Sequence, residues 1–239
     1  MPKASVAIVI LAAGKASRMG EGGKHKLLAE FDGLPLVRRS ALTAIGADAA
    51  SVIVVTGHRR SEIEAALDGL AVTFVDNPDY ASGMASSLIA GYTSRDADST
   101  DGILVMLADM PGISTAHLNA LTFAFRNAGG EAVVRAVSRG KPGNPVILPR
   151  SLNHAVLRLE GDVGARDVIA TSGLPVLDVD VGDAACLDVD RPQEVLAAGG
   201  VMKNHSRGSE LIRFHKLALR RTNEITGLRG ASLQDQFSC

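Results

Sequence analysis

Tryptophan is absent from the 239 residues, and aromatics of all kinds reach only 3%. A core this poor in rings has to be built from Ala, Val, Leu and Ile, which suits a parallel sheet covered by helices. Cysteine occurs twice, at Cys186 and Cys239. That excludes a disulfide framework and a zinc-ligand spacing. It points to a reducing cytoplasm, with Cys186 expected as a free thiol buried in its apolar run. No apolar run reaches the ~18 residues of a membrane helix, so no membrane span is expected. The early apolar stretch 5–14 is too short and too rich in strand formers for a signal peptide, and reads as the first strand. Net charge is also lacking: the formal value is −1, which gives no reason to expect nucleic acid. What is present is 46% hydrophobic and 21% charged residues, enough for an ordinary globular core.

Composition shifts near Gly199-Gly200. The stretch 1–200 alternates apolar runs with turn signals and reads as one domain. The extension 201–239 carries seven Lys/Arg against three acids, so it is basic while the body is acidic. Within it Leu211, Ile212, Phe214, Leu217 and Leu219 fit one amphipathic helix, and a loosely packed or disordered extension fits equally. In the body, strands are expected at 6–11, 51–56, 71–75, 102–107, 132–137, 146–148 and 176–179. Helices are expected at 36–45, 60–67, 85–92, 115–126, 151–157, 165–171 and 192–198. Ser114 fits an N-cap and Pro192 a first helical turn. The alternation predicts a three-layer α/β/α, Rossmann-like domain with a mostly parallel sheet. Ligands of such sheets bind outside the carboxyl ends of the strands.

Four segments could carry chemistry. The first strand runs into Leu11-Ala12-Ala13-Gly14-Lys15-Ala16-Ser17-Arg18-Met19-Gly20, and Lys26 follows. Small residues let backbone N–H groups approach an anion, Arg18 offers a bidentate fork and Lys26 a point charge. Neither common phosphate-loop pattern is met, and a flexible turn serves as well. Asp109 sits directly after the fourth strand, where a carboxylate suits Mg²⁺ or simply turns the chain ahead of Met110-Pro111. Asp190, with Asp188 as its competitor, either joins that metal site or caps the last helix. Gly83, Ser86 and Ser87 lie in a loop entering a helix, where they either touch a ring edge or start the helix. Asp162, between Gly161 and Gly164, is an N-cap or a ligand to polar groups. His58 reads as a solvated loop histidine. There is no Gly-x-Ser-x-Gly elbow, no HExxH and no Cys–His nucleophile context.

LAAGKASRMG at 11–20 followed by Lys26-Leu27-Leu28 resembles the LAAGxSxRMG and KLL signature of the molybdenum-cofactor nucleotidyltransferases. Asp109 resembles the Asp of their GDxP, with Ala108 for Gly. Asp190 resembles the second Asp of D-[IV]-D-T-P, with Arg191 for Thr. NPxxxxGMxxSL at 77–88, GxxGHPV at 140–146 with Asn144 for His, and GDxGAR at 161–166 match in order, so the likeness covers about 5–198. It implies a glycosyltransferase-A-like fold and transfer of a nucleoside monophosphate from CTP to molybdopterin with release of pyrophosphate. GTP is the alternative base, favoured by Met110. Under this resemblance Arg18, Lys26 and Asp109 are catalytic. Leu11, Ala12, Ala13, Gly14, Gly83 and Ser87 help bind nucleotide. Gly143, Asn144, Asp162 and Gly164 bind the pterin substrate. Asp109 and Asp190 bind Mg²⁺. The partners implied are CTP or GTP, molybdopterin or molybdenum cofactor, and a molybdenum hydroxylase apoenzyme. A non-catalytic maturation factor for such a hydroxylase stays open, as does an NAD(P)H-dependent oxidoreductase like the nicotine blue reductases.

Overall fold

The computed structural model describes residues 3–19 and 25–202; Gly20–Lys24 and the basic extension from Lys203 onward lie outside the described residues. In chain order the strands are β1 (Val6–Leu11), β2 (Glu30–Phe31), β3 (Leu34–Pro35), β4 (Ser51–Thr56), β5 (Thr73–Asp76), β6 (Gly102–Leu107), β7 (Val133–Ser138), β8 (Lys141–Pro149) and β9 (Val176–Asp180). The helices are α1 (Leu36–Ile45), α2 (Arg60–Ala66), α3 (Met84–Tyr92), α4 (Arg95–Asp98), α5 (Thr115–Asn127), α6 (Asn153–Val156), α7 (Ala165–Thr171) and α8 (Pro192–Ala197).

Seven strands form one sheet in the order β5-β4-β1-β6-β8-β7-β9. All run parallel except β8, which pairs antiparallel with both β6 and β7. The order reverses between β1 and β6: the chain moves outward from β1 to β4 and β5, then returns to start β6 on the other flank. Loops leaving the two strands diverge there and open a crevice at their carboxyl ends.

The strands alternate strictly. Val6, Ile8 and Ile10 of β1 join Leu104 and Met106 of β6 on one face, packed against Ala41, Leu118, Leu121 and Phe125. Ala7 and Val9 join Ile103 and Val105 on the other face, packed against Leu88, Tyr92, Val156 and Val168. Each wholly buried Val, Leu, Ile or Phe contributes about 1.5–3 kcal/mol, so this two-faced core dominates the fold. It is the three-layer α/β/α arrangement expected from the alternation.

Ser114 caps α5 as expected, its Oγ accepting from His117 N–H at 3.3 Å while His117 reaches back to Ser114 N–H. Pro192 opens α8. The eighth strand is longer than its apolar run of 146–148. Pro142 and Pro145 argue against pairing, yet the ladder of β7 with β8 tolerates them through an irregular register between Arg135 and Val137. Arg139 (φ 50°) and Gly140 (φ 79°) close that hairpin in the left-handed region. The short hairpin β2–β3 turns the same way at Asp32 and Gly33. Cys186 is free but exposed, not buried: the 3-10 turn Gly182–Cys186 directs Ala185 inward and leaves the thiol outside. Val201 pairs with Glu30 through both backbone bonds, and Met202 packs on the cluster of Met19, Phe31 and Val195, so the last two described residues are attached to the body. No described helix is long and apolar enough to cross a membrane.

Candidate active site

The crevice between β1 and β6 gathers four of the expected residues. Asp109 stands two residues beyond β6, and Val189 N–H donates to its backbone carbonyl at 3.1 Å, which ties the segment before α8 to this strand end. That tie brings Asp190 beside Asp109. Lys26, carried on a 3-10 turn over Lys26–Leu28, places its ammonium between the two carboxylates. It donates to Asp190 Oδ1 at 2.6 Å and to Asp109 Oδ2. Arg18, from the 3-10 turn Ser17–Met19, donates to Asp190 Oδ2 from the solvent side.

The electrostatics follow from burial. Burial opposes the Lys26 charge, but Asp109 and Asp190 outweigh it, and its pKa lies above the ordinary lysine value. Hydrogen bonding from Lys26 holds Asp190 below the usual carboxylate range. Burial pushes Asp109 the other way, opposed by Lys26 and reinforced by the negative charge of Asp188. Asp109 Oδ1 is buried and has no hydrogen-bond partner among the described residues. An orphaned acceptor of this kind is costly unless something occupies it. No cluster of three or more His, Cys, Asp or Glu able to hold a metal occurs among the described residues. Two carboxylates of hard oxygens with one free lone-pair site nevertheless fit Mg²⁺, which completes its shell with water and substrate phosphates.

Asp190 does not cap α8. The capping role belongs to Glu194, whose Oε2 accepts from Asp190 N–H at 2.7 Å and Arg191 N–H at 3.0 Å. That leaves the Asp190 carboxylate to the cations. Arg18, Asp188, Asp190, Arg191 and Glu194 line an open pocket of about 330 Å³.

The first loop is held from behind. Leu11 ends β1; Ala12 N–H donates to Val55 carbonyl at 2.9 Å, and Ala13 carbonyl accepts from His58 N–H at 3.1 Å. Gly14 carbonyl lies 3.2 Å from Nε2 of His25. His25 is 3% exposed, and burial takes its pKa down to about 4. Its ring stacks on that of His58 with centroids 5.9 Å apart and planes at 29°, and His58 in turn contacts Tyr80. His58 is therefore a half-buried ring partner rather than a solvated histidine. Sequence reasoning gave His25 no role. Its one signal was a histidine directly before Lys26.

Gly83, Ser87, Asp162 and Gly164 form a second group, while Gly143 and Asn144 lie apart from it in β8. Gly83 has φ 121°, and a Cβ there would lie 2.2 Å from Gly161 carbonyl oxygen, so only glycine lets these two loops meet. Ala85 N–H donates to that same carbonyl at 3.1 Å, and Met84 N–H to Asp162 Oδ1 at 3.4 Å. Asp162 thus sits at the start of α3, on another helix than the one that follows it. Gly164 lies against Met84 sulfur. Ser87 is 7% exposed, and its hydroxyl accepts from Asn77 Nδ2 at 2.9 Å. Asn77 also donates to Ser86, so this side chain, which sequence reasoning passed over, organises the loop. Gly143 lies in β8 against Ala185, whose carbonyl oxygen would be 2.1 Å from an added Cβ; Asn144 beside it is half-buried.

A parallel sheet that reverses order beneath two carboxylates and two cations has the frame of a nucleotidyltransferase-type α/β domain. The model of the MobA-like NTP transferase domain matches residues 8–176, and the chain belongs to that family. It is 32% identical over 164 residues to nicotine blue oxidoreductase of Paenarthrobacter nicotinovorans, covering 66% of this chain and 78% of that one. Among solved structures, the nucleotidyl transferase Mth528 of Methanothermobacter superposes with a TM-score of 0.69 at 24% identity, covering 81% of this chain and 95% of that one. The manganese complex of Rv0371c from Mycobacterium tuberculosis H37Rv superposes with a TM-score of 0.62 at 23% identity, covering 81% and 97%.

Proposed function

We propose that the chain transfers a nucleoside monophosphate from CTP to the phosphate of molybdopterin, with a divalent cation, Mg²⁺, as its cofactor. The observation that carries this reading is the meeting of Arg18, Lys26, Asp109 and Asp190 at the carboxyl ends of β1 and β6. An oxygen of the acceptor phosphate attacks the α-phosphorus, the bond from that phosphorus to the bridging oxygen breaks, and pyrophosphate leaves with the electron pair. No protein nucleophile takes part; positioning and charge neutralisation supply the catalysis. Asp109 and Asp190 would hold the Mg²⁺, which when bound neutralises phosphate oxygens as a Lewis acid. Lys26 and Arg18, each tied to a carboxylate before substrate arrives, offer their remaining N–H groups to the triphosphate. The Rv0371c manganese complex is in keeping with a divalent cation in this fold. Gly83, Ser87, Gly143, Asn144, Asp162 and Gly164 stay as the proposed base and pterin side of the crevice.

The name of the Paenarthrobacter relative favours a second reading, reduction of a dye-like substrate by reduced nicotinamide on the same scaffold. One experiment separates the two: a thermal-shift panel with CTP, GTP, ATP, UTP and NADPH, each with and without Mg²⁺. A ligand at about 100 times its Kd adds roughly 2.7 kcal/mol. Selective stabilisation by Mg–CTP supports cytidylyl transfer, and by Mg–GTP guanylyl transfer. Stabilisation by NADPH alone overturns both.

A further inference from the structure

We propose that His25 is a positioning residue that fixes the peptide groups of the first loop relative to the Lys26 turn, acting as one neutral tautomer. The functional part of this inference rests on reading that loop as the nucleotide loop.

The tautomer follows from donors and acceptors alone. Leu27 N–H points at Nδ1 of His25 from 3.3 Å, and a backbone N–H can only donate. Nδ1 is therefore the acceptor, so the ring proton sits on Nε2 and is donated to Gly14 carbonyl at 3.2 Å. Both nitrogens are engaged, and the ring is clamped between the turn that carries Lys26 and the loop that carries Gly14. Burial, together with the charges of Arg59 and Lys26, keeps the second proton off at neutral pH.

The consequence lies on the other side of the peptide plane. A trans peptide points its C=O and the next N–H in opposite directions. With Gly14 carbonyl drawn toward His25, the N–H of Lys15 is aimed away from the ring. With Ala13 carbonyl drawn to His58 N–H, the N–H of Gly14 is likewise aimed away from its partner. Gly14 and Lys15 are exposed, and neither N–H donates to any described residue. Two successive donors that no described residue occupies, held this way, are the elements of an anion nest, and the imidazole fixes one of them.

The test uses the full chain and three variants, with backbone hydrogen exchange of 11–19 read in the absence of ligand. His25→Phe keeps the ring and its packing but removes both hydrogen bonds. The loop should exchange about tenfold faster, and KM for Mg–CTP should rise about tenfold with a smaller change in kcat. His25→Gln, which can donate and accept, should recover most of both. Imidazole nitrogen NMR of the wild type should show Nε2–H and a bare Nδ1. A wild-type ring protonated on Nδ1, or loop exchange in His25→Phe equal to wild type, overturns the proposal. Wild type that binds no triphosphate instead overturns the functional reading, while loop exchange and tautomer still decide the role of His25. Should His25→Phe fail to fold, the wild-type tautomer and the Gln variant's loop exchange decide it.

Discussion

Two stretches of the molecule are built on opposite plans. In the cluster of Arg18, Lys26, Asp109 and Asp190 every group is charged, and the members satisfy one another only in part: among the described residues Asp109 Oδ1 has no hydrogen-bond partner, and Arg18 extends into solvent. Around Gly83 the groups are neutral backbone and hydroxyls, and they are spent on each other: Asn77 on Ser86 and Ser87, Gly161 on Ala85. The first stretch has unused bonding capacity, as a binding site needs. The second has used its capacity to set the entry of α3.

This contrast is broken or sharpened by substitution. Asp109→Asn removes the orphaned anionic oxygen and should cost about a thousandfold in divalent-cation-dependent turnover, or ~4 kcal/mol, with the circular dichroism spectrum unchanged. Undiminished activity would remove Asp109 from the metal site. Gly83→Ala drives a Cβ into Gly161 and should cost about 3 kcal/mol in urea denaturation, because both loops must part. A neutral result would mean that the loops separate freely.

The third prediction concerns pH. Buried neutral His25 takes its proton near pH 4, the unfolded chain near 6.5. Above 6.5 neither state is charged and the full stability is present. As pH falls from 6.5 toward 4 the unfolded chain gains a proton that the fold refuses, so stability falls. The loss between pH 7 and 5 is about 2 kcal/mol in wild type and should be absent in His25→Phe. Equal losses would place the titrating group elsewhere.

Arg18→Ala should weaken triphosphate binding about tenfold, and nucleoside monophosphate binding less, by calorimetric titration. Because Arg18 is largely exposed, its ion pair with Asp190 should leave Tm almost unchanged. Equal loss for both ligands would refute its triphosphate role. The smallest effect is expected from Ser87→Ala: about 1 kcal/mol in stability from the lost Asn77 bond, with a weakened preference among CTP, GTP, ATP and UTP if Ser87 faces the nucleobase as proposed. An unchanged preference would remove Ser87 from the nucleobase.

The same contrast explains what was legible in the chain. Strands that read as short unbroken apolar runs, such as 6–11 and 102–107, announce themselves because burial on both sheet faces demands it. Asp109 at a strand end is a candidate from the sequence, although a turn ahead of Met110-Pro111 explains it as well, and only the family resemblance separates the two. The neutral loops were harder because Gly, Ser, Asn and Asp cap helices with the same atoms that bind ligands. Asp162 was open to both uses, and its carboxylate goes to α3, a contact 78 residues away that no local pattern contains. The β7–β8 hairpin was half hidden by its prolines and by an arginine in a left-handed turn. The stretch 211–219, open to an amphipathic helix or to a loosely packed or disordered extension, lies outside the described residues.

The antiparallel β8 has a consequence for how such a domain diversifies. Because it runs against β6 and β7, its first residues and the exposed turn at Arg139 and Gly140 lie at the same sheet edge as the ends of β1 and β6. A hairpin tip is spliced in without a crossover, so residues added or lost there shift no other strand. One wall of the crevice is thus free to lengthen, shorten or change polarity while Lys26 and its two carboxylates stay in place. Under the proposed function, a change of acceptor contacts at this tip would leave the Lys26 cluster as it is.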